Sequence, residues 1–106
     1  YLRYVAPIVE QIETHYSSPV TVDELSRTVY VTPQYLSRLF RRFLGCSVYE
    51  YLTSCRISRA KELLLTYPRL EIQEIAGRVG FSDASHFIAM FKKAAGRTPL
   101  EFRRFH

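Results

Sequence analysis

The chain repeats one pattern of residues in its two halves, and this duplication restricts the fold more than any other feature of the sequence. Pairs of similar residues stand 51 positions apart: Phe40 with Phe91, Gly45 with Gly96, Ser47 with Thr98, Glu50 with Glu101, Tyr51 with Phe102, and Arg41-Arg42 with Lys92-Lys93. Nearer the N-terminus the interval is 50, so that Leu25 and Val29 match Ile75 and Val79. The chain is therefore predicted to consist of two related units, with one additional residue in the turn of the second.

Apolar residues recur at helical spacing through most of the chain. Val5, Ile8, Val9, Ile12 and Tyr16, for example, follow the spacing of one helix face. The same reading along the whole sequence predicts seven helices, at approximately residues 1–16, 21–28, 33–44, 48–65, 72–79, 83–95 and 98–102. Alternating strand patterns and Asn-Gly or Asp-Gly turns do not occur in the sequence. The predicted fold class is all-α.

Residues that start and stop helices lie at the predicted boundaries. Thr32-Pro33 and Thr98-Pro99 each place a capping hydroxyl before a proline at the first helical position. Residues 21–24 have the form of a capping box. Gly45 and Gly96 are placed to end the helices that precede them.

Each predicted unit contains a helix, a turn of three to four residues and a second helix that ends in a basic dipeptide. This is the outline of a helix-turn-helix motif. The long helix between the units is apolar around more than half of its circumference, so we expect it to be central and covered on several sides. We predict one domain with an N-terminal helix-turn-helix subdomain at 1–47, a linker helix at 48–66 and a C-terminal helix-turn-helix subdomain at 67–106.

The charge of the chain favours polyanionic partners. The formal net charge is +5 and the isoelectric point is near 9.5. Residues 31–61 alone carry a net charge of +5, because six Lys and Arg residues face a single Glu. Such a basic segment is typical of a nucleic-acid-binding surface, and a solvated helix face is the alternative that charge alone leaves open.

The helix predicted at 33–44 has the side chains needed to read DNA bases. In a helix-turn-helix motif the second helix enters the major groove, and its N-terminal half meets the base edges. Arg38 can bind guanine O6 and N7, Gln34 can bind adenine in the same bidentate way, and Ser37 can bond to either base. Four further side chains of this motif are predicted to contact phosphates: Thr32, Tyr35, Arg41 and Arg42.

The second candidate recognition helix, at 83–95, has a different chemistry. The side chains on its corresponding face are small or apolar: Ala84, Ser85, Ile88 and Ala89. They offer van der Waals contact with thymine methyl groups, and Ser85 is the one hydrogen-bonding reader in the set. Phosphate contacts are predicted for three neighbouring side chains, His86, Lys92 and Lys93. For His86, packing against the turn is an equal alternative. We expect sequence specificity to be unequal between the two motifs.

Many of these residues belong to one long signature. Residues 75–83 read IAGRVGFSD, and they are followed by His86-Phe87, Phe91-Lys92-Lys93, Gly96-Arg97-Thr98-Pro99 and Phe102-Arg103. Upstream, residues 35–40, which read YLSRLF, and Arg56-Ile57 fit the same pattern. Over about residues 5–104 the chain resembles the DNA-binding domain of the AraC/XylS family of bacterial transcription regulators.

The resemblance implies two helix-turn-helix subdomains whose recognition helices enter successive major-groove segments of double-stranded promoter DNA. It places base contacts at positions already named: Gln34, Ser37 and Arg38 in the first motif, and Ala84, Ser85, Ile88 and Ala89 in the second. A linker helix of about eighteen residues would be ~27 Å long, of the order of one ~34 Å turn of DNA. The resemblance also implies contact with RNA polymerase. We expect an N-terminal sensory or dimerisation domain outside this sequence.

Other classes of function find little support. No phosphate loop, nucleophile elbow or paired-acid motif occurs, so we expect no enzyme activity and no cofactor. The His and Cys spacing fits no metal site, and Cys46 and Cys55 are interpreted as reduced packing residues. Glu50 and Glu101 are interpreted as carboxylates favoured by helix dipoles. The longest apolar run, residues 87–91, is far shorter than a membrane span, so we expect a soluble protein of the cytoplasm.

Two interpretations concern the aromatic residues and the basic face. Most of the eight Tyr and seven Phe residues, Phe43 included, are expected in the core, with Tyr35 as the exposed exception. The main alternative to DNA binding is a helical protein-interaction module that docks an acidic partner through its basic face. Base reading requires Gln34, Ser37 and Arg38 on one face, whereas simple charge docking does not.

Overall fold

The computed structural model describes residues 3–106, which contain α-helices and no strand. The helices are α1 (Val5–His15), α2 (Val22–Thr28), α3 (Pro33–Leu44), α4 (Val48–Thr66), α5 (Ile72–Arg78), α6 (Ala84–Ala95) and α7 (Pro99–Arg104). The predicted all-α class with seven helices is confirmed. None of these helices is long and apolar enough to cross a membrane. Residues 1–2, which the predicted first helix and N-terminal subdomain include, lie outside the described residues.

The chain divides into two compact units, and the division falls inside α4, between Thr53 and Ser54. The first unit contains α1 to α3 with the start of α4, and the second contains the rest of α4 with α5 to α7. Each unit therefore holds one pair of helices joined by a short turn. The subdomain limits at 47/48 and 66/67 stay predictions.

The core of the first unit draws apolar side chains from all four of its helical segments. α3 packs against α2 and against α1. The buried side chains are Val5, Ile8, Ile12, Leu25, Leu36, Phe40, Val48 and Leu52. The ring of Phe40 also lies edge-on to that of Tyr51, with the centroids 6.1 Å apart. α3 is thus held by one face, and its opposite face lies toward solvent.

The core of the second unit is built around phenylalanine. Phe87 and Phe91 of α6 are fully buried, and their ring centroids are 5.8 Å apart. Phe81 in the turn lies 5.3 Å from Phe87, and Phe102 of α7 lies 5.4 Å from Phe91. The aliphatic side chains packed with them are Ile57, Ala60, Leu63, Leu64, Ile75 and Val79. The edge-to-face contact between Phe91 and Phe102 joins α6 to α7, and α6 also packs against α5.

Short-range signals in the sequence account for the helix boundaries. The hydroxyls of Thr21, Thr32 and Thr98 accept backbone N–H bonds at the starts of α2, α3 and α7. Gly45 and Gly96 end α3 and α6 with φ values of 72° and 78°, a conformation that glycine adopts without steric cost. The predicted threonine and glycine caps are confirmed, but at residues 21–24 the structure shows only the bond to the Thr21 hydroxyl and not the reciprocal bond of a capping box.

The prediction that Tyr35 would be the exposed exception among the aromatic residues is wrong. Tyr35 is exposed, but within residues 3–106 so are five other rings: Tyr30, Phe43, Tyr49, Tyr67 and Phe105. Phe43 lies in the last turn of α3, beyond the buried pair Leu36 and Phe40, and no neighbouring helix covers it enough to exclude solvent. Helical spacing alone therefore overestimated the length of the buried stripe.

Candidate nucleic-acid interface

Both units bend between their paired helices at an equivalent position. The N–H of Tyr30 donates to the carbonyl oxygen of Arg27 at 3.3 Å, and fifty positions later the N–H of Gly80 donates to the carbonyl oxygen of Gly77 at 3.2 Å. The residue at the bend has a positive φ in both cases, 60° at Tyr30 and 106° at Gly80. The two bends are therefore alike, but five residues, 79–83, separate α5 from α6, whereas four residues, 29–32, separate α2 from α3.

The outward face of α3 carries the predicted base readers. Leu36 and Phe40 are fully buried and define the inner face of the helix. At about 100° per residue, Arg38 lies opposite this pair, and Gln34 and Arg42 lie about 40° to either side of Arg38. Ser37, nearer the edge of the same face, is also exposed. Gln34, Arg38 and Arg42 therefore share one solvent-facing surface, and Ser37 lies at its flank.

Tyr35 and Thr32 support this surface from the start of the helix. The guanidinium carbon of Arg38 lies 5.9 Å from the ring centroid of Tyr35, in cation–π range. The Tyr35 ring in turn lies edge-on to Tyr4, with the centroids 6.1 Å apart. The hydroxyl of Thr32 accepts the backbone N–H of Tyr35 at 3.1 Å. These contacts restrict Arg38 on the outward face.

Two arginines in the last turns of α3 supply the positive charge of the predicted phosphate contacts. Both Arg41 and Arg42 are exposed. Nη1 of Arg41 lies 3.5 Å from Oε1 of Glu50, at the start of α4. The guanidinium carbon of Arg42 lies 5.5 Å from the ring centroid of Phe43. The exposed Phe43 ring thus contacts a cation of this surface.

α6 has the same architecture with other side chains. Phe87 and Phe91 occupy the inner positions that correspond to Leu36 and Phe40 of α3. The outward side chains, taken in the order of their α3 counterparts Gln34, Ser37, Arg38, Arg41 and Arg42, are Ser85, Ile88, Ala89, Lys92 and Lys93. All five are exposed, whereas Ala84 is partly buried at the first position of the helix. The methyl group of Ala89 thus occupies the position that the guanidinium of Arg38 has on α3.

The start of α6 is fixed by two contacts. Oδ1 of Asp83 accepts the backbone N–H of Ser85 at 2.9 Å, which caps the helix and leaves the Ser85 side chain exposed. The ring of His86 lies edge-on to Phe81 with the centroids 5.5 Å apart, and the residue remains exposed. His86 therefore packs against the turn, and its exposure leaves room for the predicted phosphate contact.

Sequence reasoning missed the position of Glu50 beside Arg41. The N–H of Ser47 donates to Oε1 of Glu50 at 2.7 Å, and the N–H of Glu50 donates to the Ser47 hydroxyl at 3.0 Å. Thr98 and Glu101 exchange the same pair of bonds at the start of α7. The hydroxyl-x-x-acid spacing at both sites is that of a capping box, and this signal could have located both carboxylates.

Two exposed helices with basic ends, each following a short turn with an equivalent bend, define the class: a DNA-binding protein with two helix-turn-helix motifs. The sequence profile of a helix-turn-helix domain family matches residues 25–104. The chain belongs to this family, that of the AraC/XylS-type DNA-binding domains. These are DNA-binding domains of transcription regulators.

Individual relatives agree with this assignment. The chain is 42% identical over 82 residues to the arabinose operon regulatory protein of Escherichia coli (strain K12), covering 77% of this chain and 28% of that protein. It is 38% identical to the solved C-terminal domain of AraT, a response regulator from Geobacillus stearothermophilus, with a TM-score of 0.92 over 97% of this chain and 85% of that one. The chain spans about a third of the length of the curated relatives it matches.

A further solved neighbour contains DNA. The DNA-binding domain of AdpA, a global transcriptional factor, was solved in complex with a target DNA. Its TM-score is 0.88 at 26% identity, covering 95% of this chain and 90% of that chain.

Proposed function

We propose that this protein regulates bacterial transcription by sequence-specific binding of double-stranded promoter DNA, with each recognition helix in a major-groove segment. The observation that carries the proposal is the placement of Arg38 at the centre of the outward face of α3, beside Gln34 and against the Tyr35 ring. A guanidinium held in this way is suited to the bidentate recognition of guanine. A protein that acts on promoters works in the bacterial cytoplasm.

The two motifs have unequal parts in this proposal. α3 reads bases through Gln34, Ser37 and Arg38, because each has hydrogen-bonding groups that match base edges. α6 contributes phosphate contacts through Lys92 and Lys93. The exposed side chains of its first half, Ser85, Ile88 and Ala89, are suited to van der Waals contact with thymine methyl groups. Most of the sequence specificity therefore resides in the first motif.

The alternative, a module that docks an acidic protein partner through its basic face, has weaker support. Charge docking has no use for Gln34 and Ser37 beside Arg38, and the AdpA neighbour was solved with DNA. Likeness to AraC/XylS-type regulators supports two further partners in the proposal, RNA polymerase and an N-terminal sensory or dimerisation domain.

The test is a fluorescence-anisotropy titration of a pool-selected duplex of about 20 base pairs and of a scrambled duplex of the same composition. Arg38→Ala is expected to lose ~1–3 kcal/mol on the selected duplex and little on the scrambled one, because it removes a base contact. Arg42→Ala, a matched variant on the same helix, is expected to weaken both duplexes alike. Equal losses for Arg38→Ala on the two duplexes would contradict base reading by this residue.

A further inference from the structure

The carboxylate of Glu50 is held in a fixed position at the start of α4. Its Oε1 accepts the N–H of Ser47 at 2.7 Å, and its own N–H donates to the Ser47 hydroxyl at 3.0 Å. This reciprocal pair of hydrogen bonds is a capping box, which orients the side chain back along the helix axis. Glu50 is thereby less able to swing away from its neighbours than an ordinary surface glutamate.

The neighbour of this carboxylate is a cation of the proposed DNA-binding surface. Nη1 of Arg41 lies 3.5 Å from Oε1 of Glu50, and the two side chains are 62% and 58% exposed. An ion pair this exposed contributes little to the stability of the fold. It nevertheless places a negative charge next to the group that is proposed to meet a DNA phosphate.

The second unit also has a capping carboxylate that is influenced by a cation of the recognition helix. Glu101 forms a capping box with Thr98 at the start of α7. The backbone hydrogen bond from Thr98 is the main cause that lowers the pKa of Glu101, and the positive charge of Lys92 lowers it further. Lys92 is the counterpart of Arg41, so in both units the first cation of the basic dipeptide acts on a capping carboxylate, through an ion pair in the first unit and through its charge in the second.

We propose that Glu50 is a negative determinant of DNA affinity, because its carboxylate forms an ion pair with Arg41 that a DNA phosphate has to displace. This inference rests on the proposed function and adds an acidic residue to the proposed interface. Since the capping box holds Glu50 in place, Arg41 is the partner that moves when DNA binds. The carboxylate then stays close to the incoming phosphate and repels it. Affinity for every sequence is reduced alike, which leaves discrimination to the base readers of α3.

The variant that tests this is Glu50→Gln. Glutamine also serves at the third position of a capping box, so the hydrogen bond to Ser47 is retained while the charge is lost. Removal of one unit charge near a bound phosphate is expected to raise the affinity for both the selected and the scrambled duplex by about three- to tenfold at moderate salt. The slope of log K against log salt should steepen by up to about one, because Arg41 then neutralises a phosphate in full.

Two comparisons separate this effect from a general change in charge. Glu74→Gln removes a carboxylate from a similar exposed ion pair, in which Oε1 of Glu74 lies 3.1 Å from Nη2 of Arg78 on α5. This matched variant is expected to change the affinity by less than twofold, a shift small beside that expected for Glu50→Gln. In an Arg41→Ala background, the gain in affinity from Glu50→Gln is expected to be clearly smaller, because only the direct repulsion of the phosphate is then relieved.

The results that would contradict the role of Glu50 differ from those that would contradict the proposed DNA-binding function. If the wild-type protein prefers its selected duplex but Glu50→Gln, folded as judged by circular dichroism, binds no more tightly, the inference about Glu50 is wrong and the proposed function stands. An unchanged gain in the Arg41→Ala background would also overturn it, because the carboxylate would then act without Arg41. If the wild-type protein binds no duplex, both proposals fall.

Discussion

Replacement of Tyr30 by glycine is expected to stabilise the first unit. Tyr30 stands at the bend between α2 and α3 with a φ of 60°, in the left-handed region that side chains with a Cβ atom disfavour. Its ring is 95% exposed, so the side chain gains almost nothing from packing. The equivalent residue of the second unit is Gly80, with a φ of 106° and the same turn hydrogen bond. The second unit thus has glycine, which adopts a positive φ without steric cost, at the bend where the first unit has tyrosine.

The expected gain follows from two opposing contributions. The left-handed conformation costs a residue with a side chain about 1–2 kcal/mol. Replacement by glycine also lowers the free energy of unfolding by about 0.5–1 kcal/mol, because glycine has more conformational freedom to lose on folding. Tyr30→Gly should therefore raise the free energy of unfolding by about 0.5–1 kcal/mol, which corresponds to an increase in Tm of roughly 2–8 °C for a chain of this size.

Thermal and urea unfolding followed by far-UV circular dichroism measure this change. Tyr30→Ala is the matched control, because it removes the ring but keeps a Cβ atom in the left-handed region. We expect no stabilisation from that variant. A lower Tm for Tyr30→Gly, or an equal increase for Tyr30→Ala, would refute backbone strain as the reason and would assign a stabilising or destabilising role to the exposed ring itself.

Two further predictions concern the second unit. Because the backbone hydrogen bond from Thr98 lowers the pKa of Glu101, this carboxylate stabilises the folded state above its unfolded-state pKa, and the contribution is lost as the pH falls through its folded-state pKa. Urea titrations of Glu101→Gln and the wild type should therefore differ at pH 7 and converge under acidic conditions; a difference independent of pH would contradict this. The guanidinium of Arg103 donates to the carbonyl oxygens of Leu64 and Tyr67 at 3.1 and 3.0 Å, so Arg103→Ala should lower the free energy of unfolding by about 1–3 kcal/mol. Arg103→Lys should recover part of the lost stability. Equal free energies of unfolding for the wild type and both variants would show that these hydrogen bonds do not stabilise the fold.

Much of the fold is decided by interactions between residues close in sequence. Helix periodicity, the threonine caps at Thr21, Thr32 and Thr98, and the glycines that end α3 and α6 all act within about one helical turn, so their effects could be predicted. The outward face of α3 followed from the same spacing, because once Leu36 and Phe40 are buried the position of Arg38 is set by helix geometry.

The sequence by itself therefore determined the all-α class, the two related motifs and the side chains on each recognition face. The tertiary structure decided how those side chains are surrounded. The exposure of Phe43 and the ion pair between Arg41 and Glu50 depend on where separate segments meet in space. Contacts between separate segments are set by the packing of whole helices. The periodic pattern of one helix does not show which neighbouring element will cover its end.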